Sequence, residues 1–243
     1  MKKLKAGLYS FTACQGCQLN MLNAEKKIAW LAERIEFTRF PWILEKNSEG
    51  PFDVVFVEGA ITTKEHVKTL KAVREKTKTL VVIGSCAAIG GVPAIKNLSN
   101  KNHHKIVYGE KQTGEKTLNK VHAVKEFVKV DYTLNGCPIP IHEFLEFVDV
   151  ISQGMEFRQK DYPVCYECIL NNNHCLLFQE IPCAGPITRA GCNSICVNNG
   201  DHCDACRGTF STADVKKYLK LMNNLGFKKR EVEDLLSFYG GIK

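Results

Sequence analysis

The sequence predicts an α/β protein: a flavodoxin-like, doubly wound parallel sheet followed by a small irregular region and C-terminal helices. Three observations carry the prediction. From residue 3 to about 153, short apolar runs alternate with stretches whose apolar residues recur at helical spacing. Those runs, such as DVVFVEG and LVVIG, are apolar at consecutive positions, as strands covered on both faces are. Beyond Gln153 the periodicity stops, and eight of the twelve cysteines fall between Cys165 and Cys206.

Leu4 to Phe11 reads as the first buried strand, ending at Thr12-Ala13-Cys14-Gln15-Gly16-Cys17. Leu19, Leu22 and Ile28 then start a helical pattern that runs through Arg34. Glu36 to Ile43 is a second short strand and Asp53 to Gly59 a third. Thr62 or Thr63 offers an N-cap for a helix with Val67, Leu70 and Val73 on one face. Leu80 to Gly84 is the fourth strand, ending at Ser85-Cys86, and Val130 to Leu134 the fifth, ending at Asn135-Gly136-Cys137-Pro138. A helix follows from Ile141 to about Gln153. This alternation implies right-handed crossovers and a mostly parallel sheet. In such sheets ligands gather beyond the carboxyl ends of the strands, and Cys14, Cys17, Cys86 and Cys137 all follow predicted strands.

Residues 161–208 are rich in Cys, Asn, Gly and Pro and cannot build a core alone, so metal ligation would supply the missing folding free energy. Thr212 is expected to cap a helix carrying Val215, Tyr218, Leu219 and Met222, and Lys229 to Phe238 reads as a second, with Val232, Leu235 and Leu236. The expected division is residues 1–153 and 154–243.

At 243 residues and 44% hydrophobic content the chain can fill a core. The net charge of +7 comes from scattered lysines, and Lys96 to Lys120, with Lys101, Lys105, Lys111, Lys116 and the pair His103-His104 inside it, reads as a solvated loop. Nucleic-acid binding is therefore not expected. The N-terminus shows no apolar signal region, and no window approaches the roughly 18 to 20 apolar residues of a membrane span, so a cytoplasmic setting is expected.

A reducing compartment argues against disulfides. Twelve cysteines divide into three sets of four, which fits zinc and [4Fe–4S] clusters equally well. Cys14-x2-Cys17 alone could be a redox dithiol, but Cys86 and Cys137 at equivalent strand ends favour a four-ligand site. Nearby glycines, among them Gly16, Gly84, Gly90, Gly91 and Gly136, would allow close backbone approach to a bound centre.

The motifs TACQGCQLNML (12–22), VEGAITTKE (57–65), GSCAAIGGVP (84–93) and NGCPIP (135–140) occur in this order. Through them the chain resembles the small subunits of nickel–iron hydrogenases, over about residues 5–208. The resemblance implies three [4Fe–4S] clusters: a proximal one on Cys14, Cys17, Cys86 and Cys137 within residues 1–153, and two more within 154–243. The distal set would be Cys165, Cys168, Cys175 and Cys183 of the Cys-Ala-Gly-Pro motif, and the medial set Cys192, Cys196, Cys203 and Cys206. Many members of the family have histidine at the place of Cys165, so this distal site departs from the pattern in being all-thiolate. Respiratory members have proline near the place of Cys196 and a three-iron cluster there. A fourth thiolate implies a complete cubane with a lower, ferredoxin-like potential.

The twelve thiolates leave His174 and His202 outside the ligand sets. Glu58 and Arg189 could position a partner or make local ion pairs. Gln18 stands where respiratory members often have glutamate, which puts proton movement at that spot in doubt.

The resemblance implies a relay for electrons from hydrogen oxidation in a separate nickel–iron large subunit to a flavin or iron–sulfur acceptor subunit. The all-cysteine sites point to the cytosolic enzymes: methyl-viologen-reducing hydrogenases of methanogens, whose acceptor is linked to heterodisulfide reductase, coenzyme F420-reducing enzymes and sulfhydrogenases. Three rivals remain at this point: a zinc-stabilised interaction module, a stand-alone dithiol enzyme, and the small iron–sulfur subunit of a quinone-oxidoreductase-like complex. The last carries a tandem cysteine pair that is missing here.

Overall fold

Asp53 to Val57 alternates its side chains between two apolar layers, and this strand is the middle of the molecule. Val54 and Phe56 face Leu8, Ile83, Phe144 and Phe147, while Val55 and Val57 face Leu70, Val73, Leu80 and Val82. A side chain such as Phe56, fully removed from water, contributes roughly 1.5–3 kcal/mol. With both faces covered, the strand reads as a continuous apolar run instead of an alternating one.

The computed structural model describes residues 3–99, 101, 103–109 and 117–240. In chain order its elements are β1 (Leu4–Ser10), α1 (Gly16–Leu22), α2 (Ile28–Arg34), β2 (Ile35–Arg39), β3 (Phe52–Glu58), β4 (Ile61–Thr63), α3 (Lys64–Glu75), β5 (Thr77–Ile83) and α4 (Gly84–Ile89). They continue with α5 (His103–Tyr108), β6 (Thr117–His122), β7 (Tyr132–Leu134), α6 (Ile141–Ser152), α7 (Cys165–Leu170), α8 (Ile195–Asn198), α9 (Val215–Asn224) and α10 (Lys229–Ser237). The main sheet has five strands in the order β2-β1-β3-β5-β7, all parallel. Without the strands of the side ribbon this is the 2-1-3-4-5 order of flavodoxin-like folds.

The helices follow from their apolar faces and caps. Thr63 accepts a hydrogen bond from the His66 N–H at the start of α3, and Leu70 and Val73 face the sheet. In α6, Phe144, Phe147 and Val148 enter the core, with Phe144 edge-on to Phe56 at 5.4 Å between ring centroids.

Four local expectations are corrected. The helix expected from Leu19 to Arg34 is broken by a 3-10 turn, Glu25–Lys27, with Glu25 at φ 45°. Between Leu22 and Ile28 only Ala24 is apolar, so no stripe holds the helix together there. The second strand stops at Arg39, and Phe40 turns into the core.

The Lys96–Lys120 stretch is not wholly a solvated loop: Val92–Leu98 forms a 3-10 turn, α5 follows, and β6 pairs antiparallel with β4. Only Val121 of β6 is buried, so the strand hid behind its polar face. Lys111, Lys116 and the side chains of His103 and His104 lie outside the described residues. Finally, α9 is capped by Asp214, which accepts from the Lys217 N–H, and not by Thr212.

The C-terminal helices do not stand apart. Tyr218, Met222, Val232, Leu235 and Leu236 pack on Ala184, Ile187 and Ala205 from the cysteine-rich segment, and the Tyr218 hydroxyl donates to the Cys183 carbonyl at 3.2 Å.

Candidate metal centre

The first thiol set sits where the fold predicts a ligand. Cys14 lies in the turn after β1, Cys17 in α1, Cys86 in α4 directly after β5, and Cys137 just past β7. All four line one cleft beyond the carboxyl ends of the strands, with Glu58, Gly84, Ser85, Gly136 and Pro138. Cys17 is buried, while Cys14 and Cys137 face solvent. Gly84 has φ +80°, and a Cβ there would stand 2.5 Å from the Cys17 sulfur, so only glycine lets α4 start this close to that thiol.

Glu58, only 2% exposed, braces the set from below: its carboxyl oxygens accept from the Cys17 N–H at 3.0 Å and from the Gln18 amide at 2.7 Å. Arg189 likewise makes local contacts, with Asp161 at 3.1 Å and the Thr209 carbonyl. Both residues therefore contact their own chain.

The second set gathers Cys165 and Cys168, one turn apart on α7, with Cys175 and Cys183 in a cleft walled by Val164, Leu176, Leu177 and Pro186. The third gathers Cys192, Cys196 of α8, Cys203 and Cys206 around a cavity of about 480 Å³. Its wall also holds Cys137 of the first set, and Cys203 also lines the second set's cleft. The third set thus lies between the other two.

His202 is held between Asp201 at 3.2 Å and Asp204 at 3.0 Å. His174 lines neither this cavity nor the cleft of the second set.

Electrostatics follows this grouping for Cys165, Cys206 and Cys86, whereas Cys203 feels Cys183 of the second set ahead of Cys206 of its own. Burial pushes the Cys165 thiol up to about 12, and Cys183, Cys168 and Cys175 push in the same direction. Burial pushes Cys206 up to about 12 as well, with Cys192 and Cys196 adding to it. For Cys86, also about 12, burial comes first and then Cys137 and Cys14. Thiols in such surroundings stay protonated and inert when alone. A bound metal centre would replace the protons and turn this mutual repulsion into ligation.

The donor chemistry fits an iron–sulfur centre: each set is four soft sulfur donors in a largely apolar surround. Among the described residues, no three His, Cys, Asp or Glu side chains converge tightly enough to hold one ion. All twelve cysteines are free of disulfides.

Sequence reasoning missed the residues that join the first and third sets. Arg207, directly after Cys206, is 1% exposed and donates to Glu143 of α6 at 2.7 and 2.9 Å. The Arg207 carbonyl accepts from the Asn135 amide at 2.6 Å, and the Ser85 hydroxyl donates to the Cys206 carbonyl. One signal was readable: Glu143 lies four residues before Phe147, on the apolar stripe of α6, where an acid needs a buried partner.

Comparison with known proteins agrees with this architecture. The chain belongs to the family of the NADH ubiquinone oxidoreductase 20 Kd subunit, whose model matches residues 14–151. Within that class it stands with the small subunits of nickel–iron hydrogenases. It is 36% identical over 206 residues to the sulfhydrogenase 2 subunit delta of Pyrococcus furiosus, covering 84% of this chain and 86% of that one. It is 29% identical over 235 residues to one of the subunits of the F420-non-reducing hydrogenase of Methanocaldococcus jannaschii, covering 84% and 82%. Among solved structures, a chain of an NAD+-reducing [NiFe]-hydrogenase in the H2-reduced state superposes with a TM-score of 0.57 at 27% identity, covering 64% of this chain and 94% of that one. The family model carries the name of the quinone-oxidoreductase rival, while these relatives are hydrogenase subunits. Among the described residues, no helix is long and apolar enough to cross a membrane.

Proposed function

We propose that this chain is the iron–sulfur electron-transfer subunit of a cytosolic [NiFe] hydrogenase, holding three [4Fe–4S] clusters between a hydrogen-splitting large subunit and an acceptor subunit. The observation that carries the reading is the row of three thiol sets, the middle one sharing a cavity wall with each neighbour. A [4Fe–4S] cluster supplies storage of one electron with little change of shape. Residues 1–153 hold the first set and 154–243 the other two.

Cys14, Cys17, Cys86 and Cys137 would ligate the proximal cluster, Cys192, Cys196, Cys203 and Cys206 the medial one, and Cys165, Cys168, Cys175 and Cys183 the distal one. Glu58 orients the Cys17 backbone, and the apolar walls exclude water. Cys14 and Cys137 are exposed on the side where the large subunit would dock, and Cys175 with Phe178, 85% exposed, on the side of the acceptor. The acceptor would be a flavin or iron–sulfur subunit, as in the F420-non-reducing or sulfhydrogenase type of complex. Free thiols fit a reducing cytoplasm.

The test is iron, acid-labile sulfide and the co-purifying chains of anaerobically prepared native protein. About twelve irons per chain with a nickel-bearing partner is the expected result. Zinc without sulfide would overturn the reading. A strong three-iron signal after mild oxidation would overturn the complete cubane at Cys196.

A further inference from the structure

The three thiol sets sit in unlike electrostatic surroundings. Glu58 lines the cleft of the first set, whereas Arg207 lines the cavity of the third. Among the described residues Arg207 is the largest side chain with almost no exposure, and its guanidinium is fixed by five donated bonds. Two go to Glu143 at 2.7 and 2.9 Å, two to the Arg189 and Ala190 carbonyls at 3.1 Å each, and one to the Asn135 carbonyl.

Gly191 is part of this seat. It has φ +119°, and a Cβ there would collide with the guanidinium and stand 2.5 Å from a Glu143 oxygen. The chain thus makes room for a buried cation next to four thiols.

Glu143 grips the guanidinium and does not itself line the cavity. Two other carboxyls reach the third set: Glu167 stands 3.9 Å from the Cys192 sulfur, is paired with Lys160 at 3.3 Å and accepts from the Gly191 N–H, and Asp204 lines the cavity but is paired with His202 at 3.0 Å.

We propose that Arg207 is a positioning residue that raises the reduction potential of the centre held by Cys192, Cys196, Cys203 and Cys206, with Glu143 serving to anchor the guanidinium. The proposal rests on the iron–sulfur reading above. Each added electron makes a thiolate-bound cluster more negative, and a fixed cation facing it from a low-dielectric wall favours the reduced state. The all-thiolate middle site would otherwise share the low potential of its neighbours. The cation lifts it above the first centre, whose cleft is lined by Glu58 and by no Lys or Arg, so that electrons leaving the first centre run downhill to the middle.

The test is an anaerobic redox titration of the native complex followed by electron paramagnetic resonance, the middle signal being the one altered in Cys196→Ser. In the double variant Glu143→Gln with Arg207→Gln, two amides replace the ion pair at nearly equal volume. The middle centre should shift about tenfold towards the oxidised form, about 59 mV for a one-electron couple, with a smaller change at the other two. Glu143→Gln alone keeps the cation and should leave the middle potential equal or higher. An unmoved potential in the double variant with full iron content, or a fall in Glu143→Gln alone, overturns the role of Arg207 and leaves the relay standing. Wild-type protein without iron would overturn the relay itself.

Discussion

Around β3, the sheet core is made of Val54, Phe56, Phe144, Phe147, Leu70 and Leu80, with aromatic rings meeting edge-on. Between Cys165 and Cys206, the buried apolar side chains are Ala184, Ile187, Ala190 and Ala205 together with Cys183 and Cys203. The first region removes large side chains from water and is stable by that means. The second has small residues and thiols at its centre and borrows Tyr218, Met222 and Leu235 from the C-terminal helices. On the iron–sulfur reading, its remaining stability would come from what the thiols bind. That reading sets a region held by apolar burial beside one held by ligation.

The largest expected effect tests that difference directly. Removing iron anaerobically with a chelator should collapse amide protection across residues 161–210 while β1, β3 and β5 keep theirs, as read by hydrogen exchange with mass spectrometry. Equal loss in both regions would erase the distinction. Equal retention would mean that α9 and α10 suffice to hold the cysteine-rich segment.

Two neighbours on α6 sharpen the comparison. Phe144 points into the sheet core and Glu143 into the seam with Arg207. Phe144→Ala leaves a cavity and should cost about 3–5 kcal/mol of unfolding free energy in the sheet. Glu143→Ala strands a buried guanidinium and should cost a similar ~3–5 kcal/mol, but at the junction of the regions. Iron content separates them: Phe144→Ala should keep iron in all three sets once folded, whereas Glu143→Ala should lose it first from the third. A smaller change belongs to the sheet region alone. Thr63→Ala removes the α3 cap and should cost about 1 kcal/mol, measured by denaturant unfolding, with no change in iron.

The two regions were also unequally legible in the sequence. Strands buried on both faces announce themselves as apolar runs, so β1, β3, β5 and β7 were found to within a few residues, and with them the meeting of Cys14, Cys17, Cys86 and Cys137. β4 and β6 were missed because they are short and largely polar on the outer face, and their pairing spans more than fifty residues. In the second region the cysteine count and the Cys-Ala-Gly-Pro motif gave ligand candidates, but no periodicity orders the turns between them. Asn171 and Asn173 bind Ser194 through side-chain amides, and Arg207 finds Glu143 across 64 residues. Such contacts obey no local pattern and appear only once the chain is folded.

The two helix caps differ in one further respect, and this gives the smallest prediction. Thr63 caps α3 with a neutral hydroxyl, whereas Asp214 caps α9 with a carboxyl that hydrogen bonds from the Lys217 N–H hold below its ordinary value. A carboxyl whose folded value is lowered adds stability that is fully present above its unfolded value and is lost as pH falls through the lowered one. Asp214→Asn keeps a good capping side chain and removes the charge. Wild type and Asp214→Asn should differ in α9 amide protection by a constant amount above about pH 5, and the difference should shrink as the pH is lowered further. Comparing the two proteins at each pH cancels any loss of iron that acid causes in both. A difference that stays constant to pH 3 would mean that Asp214 acts on α9 by geometry alone, as Thr63 does on α3.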